Sequence, residues 1–229
     1  MKILTSLIVA FSFCVTGVIA QSIGGVNFNI FNTLDDFNKN VEAAPMGVSF
    51  AGLYQIKDSQ WRVGGELGVA MYAGESYTDE VIINGGRYDL EVFEEDCFFT
   101  YQGVVRYTFF DEAIINPYAE AKIGGTSFFS TIMVSGDEQQ NSEIAEGYPD
   151  KTEFYGTAFH TSFGAGLMIT FGSNSDFGID LSASYMPGSR ASYRNMAASD
   201  AFLSDLDEGT FESTTNQLNY RIGVFFLLY

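Results

Sequence analysis

Eight segments of this chain alternate apolar and polar residues with a period of two, which marks strands with one greasy and one polar face. From Trp61 to Ala73, Trp61, Val63, Leu67, Val69 and Met71 oppose Arg62, Gly64, Glu66 and Gly68. From Phe98 to Phe109, Phe99, Tyr101, Val105, Tyr107 and Phe109 oppose Thr100, Gln102, Arg106 and Thr108. Tyr118 to Phe129 sets Ala119, Ala121, Ile123 and Phe129 against Glu120, Lys122, Gly124 and Thr126. Phe159 to Phe171 sets Phe163, Leu167 and Ile169 against His160, Ser162, Gly164 and Gly166, and Phe177 to Tyr185 sets Ile179 and Leu181 against Asp180, Ser182 and Ser184. The last strand sets Leu218, Tyr220, Ile222, Val224, Phe226 and Leu228 against Gln217, Asn219, Arg221 and Gly223. Two weaker strands come first, about Ile23 to Asn32 and Met46 to Ile56.

The connections alternate as well. Lys57 to Gln60, Asp111 to Asn116 and Gly172 to Asp176 are short. Thr33 to Ala44, Gly74 to Asp96, Gly136 to Gly156 and Gly188 to Thr214 are long and polar. The four long segments hold 22 of the 29 acidic residues and five basic ones. Transmembrane barrels pair short periplasmic turns with long external loops in this way. The expected fold is therefore all-β, an eight-stranded antiparallel up-and-down transmembrane β-barrel. It would have short periplasmic turns, four long acidic external loops and both termini on the periplasmic side. A soluble lipocalin-like barrel is the competitor, but its polar face would be wet and rich in Lys, Glu and Gln. Here that face is mostly Gly, Ser, Thr and Asn, which suits a narrow interior. The charges on it are few and nearly balanced: Arg62, Glu66, Arg106, Glu120, Lys122, Asp180 and Arg221.

Composition sharpens this picture. The chain is 46% hydrophobic and 16% aromatic, and only 17% charged. Aromatics gather at both strand ends. Tyr54, Trp61, Phe109, Phe171, Phe177 and Tyr229 fall near short turns; Phe31, Tyr72, Phe99, Phe129, Phe159, Tyr185 and Tyr220 fall near long loops. Two such rings would be the interfacial girdles of a membrane barrel. Residues 1–20 read as a signal peptide, with Lys2 before an apolar run and Val18-Ile19-Ala20 before a cut at Gln21. Phe13 before Cys14 argues against a lipoprotein site. Residues 21–229 then form the barrel domain and retain one cysteine, Cys97, which has no disulfide partner within the chain. A net charge near −19 after cleavage excludes nucleic-acid binding through phosphates.

The chain resembles the small outer-membrane β-barrel family common in Bacteroidota, related in architecture to OmpA-type barrels. The resemblance rests on Gln21 after the signal peptide, on glycine-punctuated strands such as Gly164-Ala165-Gly166-Leu167, and on the aromatic C-terminal strand Tyr220 to Tyr229. It implies that the final strand, with Tyr220, Phe226 and Tyr229, is a sorting signal read by the barrel assembly machinery. One departure stands out: Tyr229 is in phase with Arg221 and Gly223, and a bulge near Phe225-Phe226 would restore the family's phase.

Catalytic motifs are sparse. No phosphate loop, clustered Cys and His, or H-E-x-x-H is present. The only histidine, His160, shares a strand face with Ser162, a pair similar to that of outer-membrane lipid A deacylases, in which Ser attacks an acyl ester and His takes its proton. The plainer reading of both is interior polar filling. The inward charges have two readings, a structural ion-pair network or a gated solute path. The acidic loops would repel sticking and attract divalent cations weakly; Glu94-Glu95-Asp96 and Asp205-Leu206-Asp207-Glu208 are their densest runs and match no EF-hand. The expected function is non-enzymatic and cofactor-free. The barrel would sit in outer-membrane lipid, support the envelope and present an external surface. A narrow porin and a lipid A hydrolase using Ser162 and His160 are the alternatives.

Overall fold

The computed structural model describes residues 22–41, 44–57, 59–83, 86–110, 113–135, 151–171, 176–194 and 210–228. The expected signal peptide, Tyr229, and the acidic run 205–208 lie outside the described residues. Among the described residues, ten strands and one short helix follow in chain order: β1 (Ser22–Thr33), α1 (Asp35–Asn40), β2 (Met46–Gln55), β3 (Trp61–Ile83), β4 (Gly86–Thr108), β5 (Ile115–Ser135), β6 (Lys151–Thr170), β7 (Phe177–Met186), β8 (Arg190–Arg194), β9 (Thr210–Thr214) and β10 (Gln217–Leu228). Eight of the strands close into one antiparallel barrel in the order β1-β10-β7-β6-β5-β4-β3-β2. β1 completes the ring by pairing with β10 on one side, Ser22 to Leu228, and with β2 on the other, Ser22 to Tyr54. β8 and β9 form a separate hairpin. The barrel is thus an up-and-down, eight-stranded one.

The two faces of the sheet differ as the alternation requires. Each barrel strand turns an exposed apolar row outward: Phe28, Phe50, Val69, Tyr101, Ile123, Phe163, Leu181 and Ile222 give one member from each of the eight. Phe50 is 57% exposed and Phe163 62%. Soluble monomers rarely expose continuous apolar patches beyond a few hundred Å². The inward rows are buried and polar in the middle of the barrel, including Asn29, Ser49, Glu66, Gln102, Lys122, Ser162 and Arg221. Among the described residues no helix is long and apolar enough to cross a membrane, so any crossing is made by strands.

Strand lengths fall into two groups. β1, β2, β7 and β10 have 10 to 12 residues, close to the roughly 9–11 that cross a bilayer at a tilt. β3, β4, β5 and β6 have 20 to 23. The segment Gly74 to Asp96, expected as a long loop, is instead the continuation of β3 and β4, paired from Ala73–Asp96 to Ile83–Gly86. Likewise residues 151–156 belong to β6, Thr33 to Ala44 contains α1, and Gly188 to Thr214 contains the β8–β9 hairpin. Along the β4 extension the alternation is reversed rather than lost: Leu90 and Val92 point inward and are buried while Arg87 and Asp89 are exposed, so the pattern of a strand in lipid disappears though backbone pairing continues. Two β-bulges mark the change of regime. One puts Tyr72 as the extra residue between Met71 and Ala73; the other puts Tyr155 opposite the step from Phe128 to Phe129. Met71, Cys97 and Phe129 are neighbours in register, so both bulges lie at one level, where the four long strands leave the barrel. Bulges bend and twist a sheet in this way.

Two expectations are corrected. β10 pairs with β1 without a register shift from Gln217 to Leu228, so no bulge occurs at Phe225-Phe226. Phe225 instead points inward and is buried, in phase with Arg221. Phe31 and Tyr72 are not girdle residues either: both are buried inside the mouth. Phe99, Phe159, Tyr185 and Tyr220 do face outward at the long-loop end, as do Trp61, Phe109, Phe171 and Phe177 at the other. If the outward rows contact hydrocarbon, Leu181→Arg, in mid-barrel, should cost about 2–4 kcal/mol. Thr131→Arg, on the extension beyond the bulges, should stay within about 0.5 kcal/mol. Urea unfolding from phospholipid vesicles would measure both.

Candidate functional site

The interior is built in four layers. The first, at the short-turn end, is an apolar floor of Ile23, Leu53, Val104, Met168 and Phe225 below the Tyr118 ring. Glycine makes room for its largest member: a Cβ at Gly178 would stand 2.6 Å from the Phe225 ring.

Above the floor lies an ionic layer. Strand alternation aims one or two charges inward from each of β3, β4, β5, β7 and β10, and ring closure makes them meet. Arg106 Nη2 is 2.8 Å from Glu120 Oε2 and its Nη1 is 3.0 Å from Asp180 Oδ2. Lys122 Nζ is 2.8 Å from Glu66 Oε2 and 3.1 Å from Glu120 Oε1. Arg221 reaches Glu66 at 2.7 Å, Glu120 at 3.0 Å and Asp180 at 3.8 Å. Tyr118 stitches the layer together: its hydroxyl donates to Asp180 Oδ1 at 2.5 Å and accepts from Arg221 Nη2 at 2.9 Å. The Arg106 guanidinium lies 3.9 Å from the Tyr118 ring centre, a cation–π contact. Three carboxylates and three cations leave no net charge in this cluster. Neutrality matters because an unpaired charge in a low-dielectric interior is expensive. Of the seven charges expected to face inward, six share this cluster. Arg62 is also buried; it stands beside Arg106 in register and donates to Thr108 Oγ1.

The third layer is neutral and polar. His160 Nε2 lies 2.6 Å from Gln102 Nε2, and its Nδ1 lies 3.2 Å from Thr126 Oγ1. A neutral imidazole suits both, accepting from the amide and donating to the hydroxyl. Ser162 is fully buried, and its Oγ has no hydrogen-bond partner among the described residues. The pair expected to share a strand face does so, but His160 spends both ring nitrogens elsewhere. Asn29 donates to Ser49 at 3.0 Å, and Asn219 donates to Asn29 at 3.1 Å. The gap these side chains leave, bounded also by Glu66 and Thr100, is only about 10 Å³, enough for about one water molecule.

The fourth layer closes the mouth at the long-loop end with aromatic rings. Phe31, Phe37, Tyr72, Phe98, Phe128 and Tyr193 form one buried cluster with Val41, Met186 and Ala191. Phe37 is the centrepiece, with ring centres 4.9 Å from Tyr193 and 5.9 Å from Phe128, both edge-on. It is carried by α1, which is too short to be stable alone and is held by tertiary contacts. Asp35, at φ 54°, turns the chain over the mouth. Asn216 donates to Asp35 at 2.8 Å, and Asn40 donates to Tyr193 Oη at 2.8 Å. The hydrogen bond from Lys39, and then its charge, hold the exposed Asp36 carboxyl below its ordinary pKa. At the root of the extension, buried Arg194 stands 3.5 Å from Glu94, and the Tyr72 hydroxyl donates to the Arg194 carbonyl at 2.8 Å.

Pattern reading over the strands passed over Phe98, Phe128, Phe225 and Tyr118. A signal for the first three was present. Phe98-Phe99, Phe128-Phe129 and Phe225-Phe226 are adjacent aromatic pairs, and a period of two must send one ring of each pair inward. Phe37 carried no such signal, because its position depends on where a loop folds back.

No family model and no curated protein matches the chain. Among solved structures, the chain is similar to Neisserial surface protein A, with 9% identity, 90% of this chain and 95% of that one covered, and a TM-score of 0.46. It is similar to Ail, the attachment invasion locus protein of Yersinia pestis, with 12% identity, coverage of 92% and 100%, and a TM-score of 0.46. It is similar to the N-terminal β-barrel domain of Pseudomonas aeruginosa OprF, with 14% identity, coverage of 90% and 97%, and a TM-score of 0.39.

Glu120 touches all three cations of the ionic layer. Glu120→Gln should therefore destabilise the barrel by about 3–5 kcal/mol, and adding Lys122→Met should recover part of that loss by restoring neutrality. Unfolding midpoints of the single and double variants in one detergent would show the non-additivity.

Proposed function

We propose that this chain is a non-enzymatic integral outer-membrane barrel that reinforces the envelope and displays an acidic external surface. The observation that carries the reading is the inversion of the sheet, with exposed apolar rows on all eight outward faces around a polar, ion-paired interior. A closed barrel is one of only two structures that satisfy every backbone group in hydrocarbon, and bacterial single-chain barrels of this kind belong to the outer membrane. On this reading residues 1–20 direct export, and β10, with Tyr220 and Phe226 outward, is the strand presented to the assembly machinery. The short connections face the periplasm, and the extension of β3 to β6 faces outside.

The layered filling favours a plugged barrel over a porin. Floor, ionic layer, polar layer and aromatic lid succeed one another along the axis, and an eight-stranded interior is just wide enough for side chains. The placement of His160 and Ser162 inside the filled barrel lends no support to a hydrolase, since a lipid substrate would meet the opposite face. The acidic extension keeps its role of charge repulsion, with loosely held divalent cations as its companions.

Two measurements test the proposal. Detergent-extracted protein should migrate as a compact species in SDS and shift on boiling; protein that is monomeric and freely soluble without surfactant would reverse the assignment of inside and outside. In planar bilayers the purified chain should give no steady single-channel steps. Regular unitary conductance would replace the plugged reading with the porin.

A further inference from the structure

The outward face of the barrel is mostly large and apolar, but three of its residues in one row are small. Ala119 on β5 pairs with Ala165 on β6, and Ala165 pairs with Ala183 on β7. All three point outward and are exposed. In one direction the row continues through Tyr107 to Trp61, beside a short turn. In the other it continues through Tyr220 and Ile30 to Met46, at the long-loop end. The row therefore climbs across the whole outward face, as rows of register must when strands tilt by about 35–45°.

The neighbouring rows stand above this floor. Two residues along toward the short turns come Pro117, Leu167 and Leu181, in register with one another. Two residues the other way, Phe163 pairs with Tyr185, and both are exposed. The result is an open apolar trough of about 620 Å³ with Ala165 and Ala183 in its floor and Leu167, Leu181 and Tyr220 in its walls. Toward the short turns it runs out past Pro117 to Phe109. Its size lies within the roughly 300–1,000 Å³ of small-molecule sites. Nothing in the barrel's own folding calls for these alanines. Ala is depleted in strands, the crowded interior is on the other side of the sheet, and outward positions elsewhere carry Phe, Leu, Val and Ile. What alanine supplies here is room.

Within hydrocarbon, lipid tails are as apolar as the wall itself, so fit decides what fills a hollow. Phe163 and Leu167 are four residues apart, about 13 Å between Cα atoms, and their side chains narrow that gap. An α-helix is about 10–12 Å across with its side chains, too wide to reach the floor. A second copy set trough to trough across a two-fold axis would fill neither. A hydrocarbon chain is thin, apolar throughout, and enters a bilayer from its interface. The trough follows the same course, from Phe109 and Pro117 at the short-turn end into the middle of the barrel.

We propose that the outward trough over Ala119, Ala165 and Ala183 holds one acyl chain of a membrane lipid as a resident ligand, entering from the short-turn side. The proposal deepens the outer-membrane reading and rests on the outward rows meeting hydrocarbon.

The test uses the full mature chain folded in detergent with palmitoyl-oleoyl phosphatidylglycerol, stripped with excess detergent and weighed by native mass spectrometry. One phospholipid should remain on each barrel. Ala165→Phe and Ala183→Phe, which fill the trough, should lose it; Val69→Phe, equally outward on β3, should retain it. A heat shift in SDS identifies the variants that are folded. In bilayers, the same lipid with a nitroxide midway along one chain should broaden the Ala183 methyl signal more than the outward Val69 methyls, and Ala165→Phe should abolish the difference. Three outcomes overturn the proposal: no retained lipid, equal retention in the filled variants (a chain bound elsewhere), or a dimer that Ala165→Phe breaks apart (a second copy as the occupant). None of these touches the membrane assignment, which fails separately if the chain dissolves without detergent.

Discussion

Closure of the sheet is the constraint from which the rest follows. β1 pairs with β10 over Ser22–Thr33 and with β2 over Ser22–Ile30, so over the barrel proper every strand has two neighbours and no edge remains. A sheet closed at eight strands has an interior only one or two side chains wide. Each residue is then committed either to that confined space or to the surroundings. Leu and Phe outside Arg and Glu is the inverse of a water-soluble barrel, and it makes sense only if the surroundings are hydrocarbon.

Confinement explains why the interior is organised in layers. Six charges from five strands can be buried together because they cancel and because each carboxylate meets at least two cations or a tyrosine hydroxyl. Buried ion pairs add little net stability compared with apolar filling. Their stronger contribution here is to register. A slip of β10 by one residue would carry Arg221 into the lipid-facing row and leave Glu66 and Glu120 short of a partner. The apolar floor and the aromatic mouth then keep water from the charged layer at either end.

Beyond the two bulges the physical rules change. Four strands continue into a region where the outward face can be wet while Leu90, Val92 and Ile132 stay buried on the inner one, and the ring no longer supplies a neighbour on each side. The β8–β9 hairpin takes over that task for β6, while beyond Met71 the strand pairing of β3 among the described residues is with β4. The acids crowd onto this part of the chain because charge is tolerated there and nowhere on the barrel's outward rows.

The barrel strands, the face of most of their residues and the short connections were legible in the order of residues alone, since a period of two is a local property that lipid on one side and crowding on the other enforce. It also set which charges point inward: Glu66, Arg106, Glu120, Lys122, Asp180 and Arg221 are all in phase with small residues. It did not reveal that β3 to β6 run far past the belt, because there the outward residues are polar and the buried ones, such as Leu90 and Val92, are apolar, the reverse of the pattern in lipid. Nor did it reveal the partners within the ionic layer, the inward turn of Phe31 and Tyr72, or the docking of Phe37. Those depend on the stagger of strands around a closed ring and on a loop that returns over the mouth, contacts between residues far apart in the chain that only the tertiary structure brings together.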